Sequence, residues 1–113
     1  MTICFDLDGT ICETDDTLPL SDRYRKAVVK PKMKNLVNSL YEKGHIIVIE
    51  TARGSTAKGL FKYFKRKKLT KLTYNQLKEW KVPYHQLRVG VKIPADVYID
   101  DKCVPVTLLE RDI

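Results

Sequence analysis

Three short, mostly apolar runs constrain the fold of this chain most strongly: residues 3–5, 45–49 and 97–99. They lack the alternation of apolar and polar positions that a half-exposed strand has. Unbroken runs are typical of strands buried on both faces, as in parallel sheets covered by helices. The sequence therefore predicts three buried strands, and each leads into polar residues at its carboxyl end.

Residues with helical spacing lie between these runs. Residues 31–43 carry apolar side chains at three- and four-residue intervals, and Gly44 suits a C-terminal cap. A second helix is predicted to begin near Ser55. A third is predicted to begin at Thr73, because Thr73-x-x-Gln76 has the spacing of a capping box.

The order of the elements indicates an α/β fold. Two more strands are predicted at residues 87–89 and 104–108. Strands that alternate with helices favour a three-layer α/β/α sandwich with a mainly parallel, Rossmann-like sheet. The 113 residues contain no internal repeat and no Pro/Gly/Ser-rich linker. We therefore expect one domain over residues 1–113.

The polar residues at the strand ends form the candidate site. Asp6 and Asp8 follow the first predicted strand, Thr51 ends the second, and Asp100 and Asp101 follow a later one. Ligands of parallel α/β sheets bind at the carboxyl ends of the strands. Carboxylates brought together there need a proton or a cation between them. Hard oxygen ligands in this number favour Mg²⁺, which keeps water and substrate phosphate as its other ligands.

The order of these motifs resembles the haloacid dehalogenase-like superfamily, most of whose members are Mg²⁺-dependent phosphohydrolases. The match begins with D-x-D-G-T at residues 6–10 and continues with the strand that ends at Thr51. Lys92 is the best match for the third-motif lysine, and Lys102 is the alternative. The acidic pair at residues 100–101 is the fourth motif. The resemblance implies a small, capless member of this superfamily.

The resemblance also implies the catalytic roles. Asp6 would be the nucleophile that forms an aspartyl-phosphate, and Asp8 would protonate the leaving oxygen and later activate water. The acid at position 8 separates a phosphatase from the dehalogenase and ATPase branches. The implied Mg²⁺ ligands are Asp6, Asp8 through its backbone carbonyl, Asp100 and, through water, Asp101.

The implied phosphate-binding groups are the Thr51 hydroxyl, the backbone amides near Ala52 and Arg53, and Lys92. Glu50 departs from the family pattern, because it puts an acid at the end of a buried strand. Two interpretations of Glu50 stay open. It forms an ion pair at the sheet edge, or it contributes to substrate choice or metal binding.

The chain between the first motif and the first long helix is too short for a cap domain. About twenty residues separate Thr10 from Pro31, which is enough only for a short flap. We expect an open cleft, covered by a second subunit if water is to be excluded. The expected substrate is a sugar phosphate or another small phosphorylated metabolite. The alternatives are a phosphatase that acts on nucleic-acid ends, and a non-catalytic module that binds phosphate or nucleic acid.

The net charge of +7 is concentrated in one segment. Residues 58–71 hold seven of the 21 basic residues and no acid, which leaves 14 basic and 14 acidic residues elsewhere. Residues 6–22 hold six acids and no base. Two interpretations of the basic run stay open: a merely solvated helix face, which we favour, and a surface that raises the local concentration of anionic substrate. Binding of nucleic acid is possible but not favoured.

Three cysteines, an odd number without metal-ligand spacing, are predicted to be reduced thiols. No segment approaches the roughly 18 apolar residues that a membrane span needs. From these features we expect a cytoplasmic protein with no membrane partner.

Overall fold

The computed structural model describes residues 1–53, 59–90 and 97–99. Within these ranges the chain forms a main sheet, a two-stranded sheet and three helices. The elements in chain order are β1 (Thr2–Asp6), β2 (Cys12–Glu13), α1 (Leu20–Arg25), β3 (Val28–Val29), α2 (Pro31–Glu42), β4 (Ile46–Thr51), α3 (Gly59–Trp80), β5 (Gln86–Val89) and β6 (Val97–Ile99).

The main sheet has the strand order β5-β4-β1-β6, and every neighbouring pair in it is parallel. Phe5 of β1 pairs with Ile49 of β4 on one side and with Ile99 of β6 on the other. Thr51 of β4 pairs with Val89 of β5. The carboxyl ends of the strands therefore lie along one edge of the sheet. These pairings confirm the predicted α/β class and the three predicted strands.

Both faces of the central strands are buried. On one face, Phe5 and Ile49 lie in a hydrophobic cluster with residues of α2 and with Leu77 of α3. On the other face, Cys4 and Val48 are only 1% and 2% exposed. Successive strand residues point to opposite faces, so burial on both sides explains why the runs do not alternate. This is the environment expected for the central layer of an α/β sandwich.

The prediction of a separate third helix from Thr73 is wrong. Helix α3 continues through this position to Trp80, and the Thr73 hydroxyl donates to the carbonyl of Leu69 over 2.7 Å, a contact of a helix interior. The segment has no glycine or proline after Gly59 to interrupt the helix. The predicted helix start near Ser55 and the predicted strand at residues 104–108 lie outside the described residues.

The connection between β1 and α2 is the predicted short flap. It consists of the antiparallel pair β2 and β3 with the six-residue helix α1 between them. Lys30 fastens the flap to the loop after β1, because its Nζ donates to the Gly9 carbonyl over 2.8 Å. We find no helix in the described part of the chain with the length and hydrophobicity of a membrane span.

Candidate functional site

The loop after β1 positions the two aspartates of the first motif. Asp6 is the last residue of β1, and Asp8 follows two positions later. Amides of the following residues fold back onto the Leu7 carbonyl, with the Ile11 amide at 2.9 Å. Gly9 has a φ of +89°, a conformation that side chains with a Cβ rarely adopt. The glycine of the D-x-D-G-T motif thus allows the chain to turn immediately after Asp8.

A buried arginine holds the Asp8 carboxylate. Arg53 Nη2 lies 2.7 Å from Asp8 Oδ1, and Arg53 Nε lies 2.9 Å from Asp8 Oδ2. The Arg53 side chain is 0% exposed, whereas that of Asp8 is 24% exposed. Two parallel N–H···O contacts fix a carboxylate in orientation as well as in position. Asp8 therefore presents one defined face toward the carboxyl edge of the sheet.

Three further groups orient the Arg53 guanidinium. Its Nη1 donates to Gln76 Oε1 over 2.7 Å and to Thr73 Oγ1 over 3.1 Å, both on α3. Its Cζ lies 4.8 Å from the centre of the Tyr24 ring in the flap. Gln76 in turn donates from Nε2 to the Tyr24 carbonyl over 2.6 Å. Arg53 therefore joins the end of β4, the flap and α3 at one point beneath Asp8.

Thr51 lies on the same edge as Asp8, as predicted. The buried Thr51 hydroxyl is 3.4 Å from Asp8 Oδ2, and it accepts a hydrogen bond of 3.2 Å from the Arg53 amide. Ala52, between them, is exposed. Thr51 and Arg53 are therefore buried beside Asp8, and Ala52 exposes the turn of backbone between them. Lys92, the fourth predicted phosphate-binding residue, lies outside the described residues.

Cys12 completes the surroundings of Asp8. It is fully buried, and its Sγ is 3.4 Å from Asp8 Oδ1. The pKa of the Cys12 thiol is raised to about 12, mainly by burial and next by the negative charge of Asp8, against the opposing effect of Arg53. The thiol is therefore protonated at neutral pH and acts as a weak donor to the carboxylate. Cys4 is also buried, and Cys103 lies outside the described residues.

The described residues contain part of the predicted metal site. Asp100 and Asp101 follow β6 in the sequence and lie outside the described ranges. In those ranges no three His, Cys, Asp or Glu side chains are grouped so that they could hold a metal ion. Asp6 ends β1 beside Glu50 of β4. Because the Asp8 carboxylate is bound to Arg53, the donor that Asp8 can offer a cation is its backbone carbonyl.

Glu50 occupies a position beside the predicted nucleophile. Its register partner in β1 is Asp6, and Cys4 Sγ lies 3.9 Å from Glu50 Oε2. Paired residues of neighbouring parallel strands share a face of the sheet. Of the two interpretations of Glu50, a contribution to the site therefore has geometric support, although its role stays a prediction.

Sequence reasoning missed the Arg53 side chain. The resemblance suggested only its backbone amide, whereas the guanidinium makes the closest described contacts with Asp8. One signal in the sequence could have indicated a buried polar partner for α3. Thr73 and Gln76 are polar, lie three residues apart and therefore share a helix face. Their polar side chains point inward to Arg53 instead of capping a helix.

Comparisons with known proteins add evidence on the fold. No protein-family model matches the sequence, and a comparison with curated proteins also finds no match. A Vibrio cholerae protein of known crystal structure has a TM-score of 0.60 and 24% identity, over 96% of this chain and 86% of that chain. A D,D-heptose 1.7-bisphosphate phosphatase from B. bronchiseptica, crystallised with magnesium and phosphate, has a TM-score of 0.53 and 18% identity, over 85% of this chain and 53% of that chain.

A third solved structure, of a Pnkp1/Rnl/Hen1 complex, has a TM-score of 0.58 and 13% identity. This chain is covered over 99% of its length but spans only 34% of that chain. At these identities the likenesses establish the fold. It is the Rossmann-like α/β fold that the order of motifs predicted, shared with a solved phosphatase.

Proposed function

We propose that this chain is a Mg²⁺-dependent phosphomonoester hydrolase that works through an aspartyl-phosphate. The observation that carries the proposal is the placement of Asp8. Its carboxylate lies two residues beyond the end of β1, where Arg53 orients it beside Thr51. A carboxylate fixed next to the strand end that carries Asp6 suits an acid and base that serves an attack by Asp6. The fold shared with a solved bisphosphate phosphatase is a second support.

The proposed reaction has two displacements at phosphorus. Before the first, the Asp8 carboxylate takes up a proton from solvent as the substrate binds. A carboxylate oxygen of Asp6 then attacks the phosphorus, and the bond to the leaving oxygen breaks as Asp8 gives that oxygen its proton. In the second, Asp8 takes a proton from water, and the water oxygen attacks the aspartyl-phosphate. The bond between phosphorus and Asp6 then breaks, and inorganic phosphate leaves. Asp6 is regenerated as a carboxylate and Asp8 as an acid.

Arg53 would act here as a positioning residue. Its bidentate contact limits the rotation of the Asp8 carboxylate, and the contacts with Thr73 and Gln76 limit the movement of Arg53 itself. Proton transfer depends steeply on the distance and direction between donor and acceptor. Holding Asp8 before the substrate arrives removes part of the entropy cost of the reaction.

The groups proposed to hold the metal and the phosphate are those of the resemblance. Mg²⁺ would offset the negative charge between nucleophile and phosphate, held by Asp6 and by the Asp8 carbonyl. This division of Asp8, with its carbonyl toward the metal and its carboxylate on Arg53, is consistent with the contacts described above. The remaining proposed metal ligands are Asp100 and Asp101, and the proposed phosphate-binding groups are Thr51, the amides near Ala52 and Arg53, and Lys92.

The small flap leaves the substrate class open on geometric grounds. A sugar phosphate or another small phosphorylated metabolite remains our predicted substrate, because it needs no binding surface beyond the cleft. The solved relative named as a heptose bisphosphate phosphatase supports that class. A second subunit that covers the cleft also remains a prediction.

Hydrolysis of a generic aryl phosphate by the purified chain with Mg²⁺ tests the reaction. We expect Asp6→Asn to abolish turnover and Asp8→Asn to reduce it by about 10²- to 10⁴-fold, the usual share of general acid–base catalysis. Asp16→Asn, at an exposed acid of the flap, is the matched control and should leave the rate unchanged. An Asp6→Asn variant with full activity would rule out the aspartyl-phosphate mechanism.

A further inference from the structure

A groove of about 660 Å³ lies between α3 and the edge strand β5. One wall is a single face of α3, on which residues recur at four-residue intervals, and the other wall comes from the segment around β5. Arg66, Lys67, Lys71 and Tyr74 of α3 line one wall, and Tyr84 and Leu87 line the other. None of them takes part in the Asp8 and Arg53 contacts of the candidate site described above.

Three of the residues that line the groove, Arg66, Lys67 and Lys71, are basic. Lys67 and Lys71 are exposed, one turn apart, on the wall formed by α3. The sequence has no acid at all from residue 51 to residue 78, so nothing on the helix wall before Glu79 offsets these charges. A positive surface of this kind attracts a polyanion more strongly than a single small anion, because several charges act together.

The groove also offers aromatic rings. Tyr74 is 52% exposed, and Tyr84 lies across the groove from it. Burial raises the pKa of the Tyr84 phenol, and the Tyr74 phenol is the second cause. Tyr84 is partly buried and packs against the core, whereas the exposed Tyr74 ring provides a face on which a nucleic-acid base stacks. Binding of simple counter-ions requires positive charge only, whereas stacking with a base requires an aromatic ring.

One end of the groove reaches the candidate site through two hydrogen bonds. Arg66 Nη2 donates to the Gly90 carbonyl over 3.3 Å, and the Gly90 amide donates to the Thr51 carbonyl over 2.6 Å. From Arg66 to Tyr74 the helix rises about 12 Å, at about 1.5 Å per residue. That length corresponds to roughly three nucleotides of a stacked strand at about 3.4 Å each. The Arg66 end of the groove therefore lies beside the strand ends that carry Gly90 and Thr51.

We propose that this groove binds a single-stranded nucleic acid whose terminal phosphate is the group hydrolysed at Asp6. Lys67 and Lys71 pair with backbone phosphates, and Tyr74 stacks with a base. The inference rests on the proposed phosphatase activity for its catalytic part, while the binding part stands by itself. It makes nucleic-acid ends, rather than sugar phosphates, the substrate class that uses the whole surface.

Binding is measured first, by fluorescence anisotropy of a labelled single-stranded octanucleotide with a terminal phosphate, over a series of salt concentrations. Lys67→Gln/Lys71→Gln removes two phosphate contacts, so the slope of log K against log[salt] should become shallower by about 1.4. Lys32→Gln/Lys34→Gln removes the same charge from α2 and should leave the slope close to that of the unmodified chain. Tyr74→Ala should weaken binding about five- to hundredfold.

Two results would overturn the binding proposal. One is equal loss of slope in the groove variant and the α2 control, which would mean that only net charge matters. The other is displacement of the oligonucleotide by inorganic polyphosphate with no effect of Tyr74→Ala, which would mean that no base is recognised.

Turnover separates this inference from the proposed function. With the phosphorylated octanucleotide, kcat/KM should fall at least tenfold in Lys67→Gln/Lys71→Gln, while hydrolysis of an aryl phosphate stays unchanged. Equal rates on both substrates in both proteins would refute the groove as a substrate site and leave the phosphatase intact. Absence of all hydrolysis, with salt-dependent binding retained, would refute the phosphatase alone.

Discussion

The ion pair between Arg53 and Asp8 gives the sharpest prediction, because its burial sets its magnitude. Its shortest N···O distance is 2.7 Å, and the Arg53 side chain is fully buried. The pair between Arg25 and Asp22 is as short, at 2.6 Å, but its side chains are 62% and 36% exposed. Removing one partner of a buried pair costs about 3–5 kcal/mol, whereas an exposed pair contributes about 0–1 kcal/mol. Because the two ion pairs have nearly equal N···O distances, a difference in their contribution to stability reports the effect of burial.

We expect Arg53→Met to lower the free energy of unfolding by about 3–5 kcal/mol, a large part of the roughly 5–15 kcal/mol of a typical domain. Arg53→Met/Asp8→Ala should lose clearly less than the two single variants together, since no charge is then left buried without its partner. The coupling energy of this double-mutant cycle should reach about 2 kcal/mol. The cycle of Arg25→Met with Asp22→Ala should give less than 1 kcal/mol.

Urea unfolding in the presence of EDTA measures the unmodified protein and the six variants of the two cycles. The single tryptophan, Trp80, packs against the hydrophobic core and reports unfolding by fluorescence. If the Arg53 and Asp8 cycle gave a coupling as small as the exposed cycle, the two residues would act independently. The account of Asp8 as a carboxylate fixed by Arg53 would then be wrong.

Further predictions concern three residues: Gln76, Gly44 and Cys12. Gln76→Leu leaves the buried Arg53 Nη1 with one acceptor fewer. It should therefore lower the free energy of unfolding, measured in urea, by about 1–3 kcal/mol. The control Asn75→Leu, on the exposed face, should change this free energy little. Gly44→Ala should cost about 1 kcal/mol in the same assay, because φ is +91° there although no atom lies within 4 Å of the added Cβ. Cys12, with its pKa raised to about 12, should resist iodoacetamide at pH 8 in the folded protein and react after unfolding, as read by peptide mass spectrometry. As the pH rises from 9 toward 12 the unfolded thiol loses its proton first, so stability should fall by up to about 1.4 kcal/mol per pH unit, and Cys12→Ala should lack this part of the decline.

Each of these three has a result that contradicts it. A stable Gln76→Leu variant would mean that the bond to Arg53 contributes nothing. Unchanged stability of Gly44→Ala would mean that the turn relaxes without strain. Rapid labelling of folded Cys12 would mean that the thiol is neither buried nor protonated as described.

The sequence by itself determined the fold class and the edge of the sheet that carries the site. Unbroken apolar runs can be satisfied only where both strand faces are covered, and β1 and β4 are buried in this way. Parallel strands end along one edge, so the placement of Asp6, Asp8 and Thr51 followed from local order alone. The D-x-D-G-T loop was equally local, because Gly9 meets a backbone requirement of its own turn.

The tertiary structure alone decided how Asp8 is held and how α3 is used. Thr73 and Gln76 have the spacing of a helix start, yet α3 runs through them and their side chains turn inward to Arg53. Capping signals describe only neighbouring residues, whereas Arg53 lies about twenty positions from its α3 partners and 45 from Asp8. Contacts over such separations depend on the packing of whole elements, which no local pattern encodes. A buried guanidinium must find its partners across the fold, because water does not reach it.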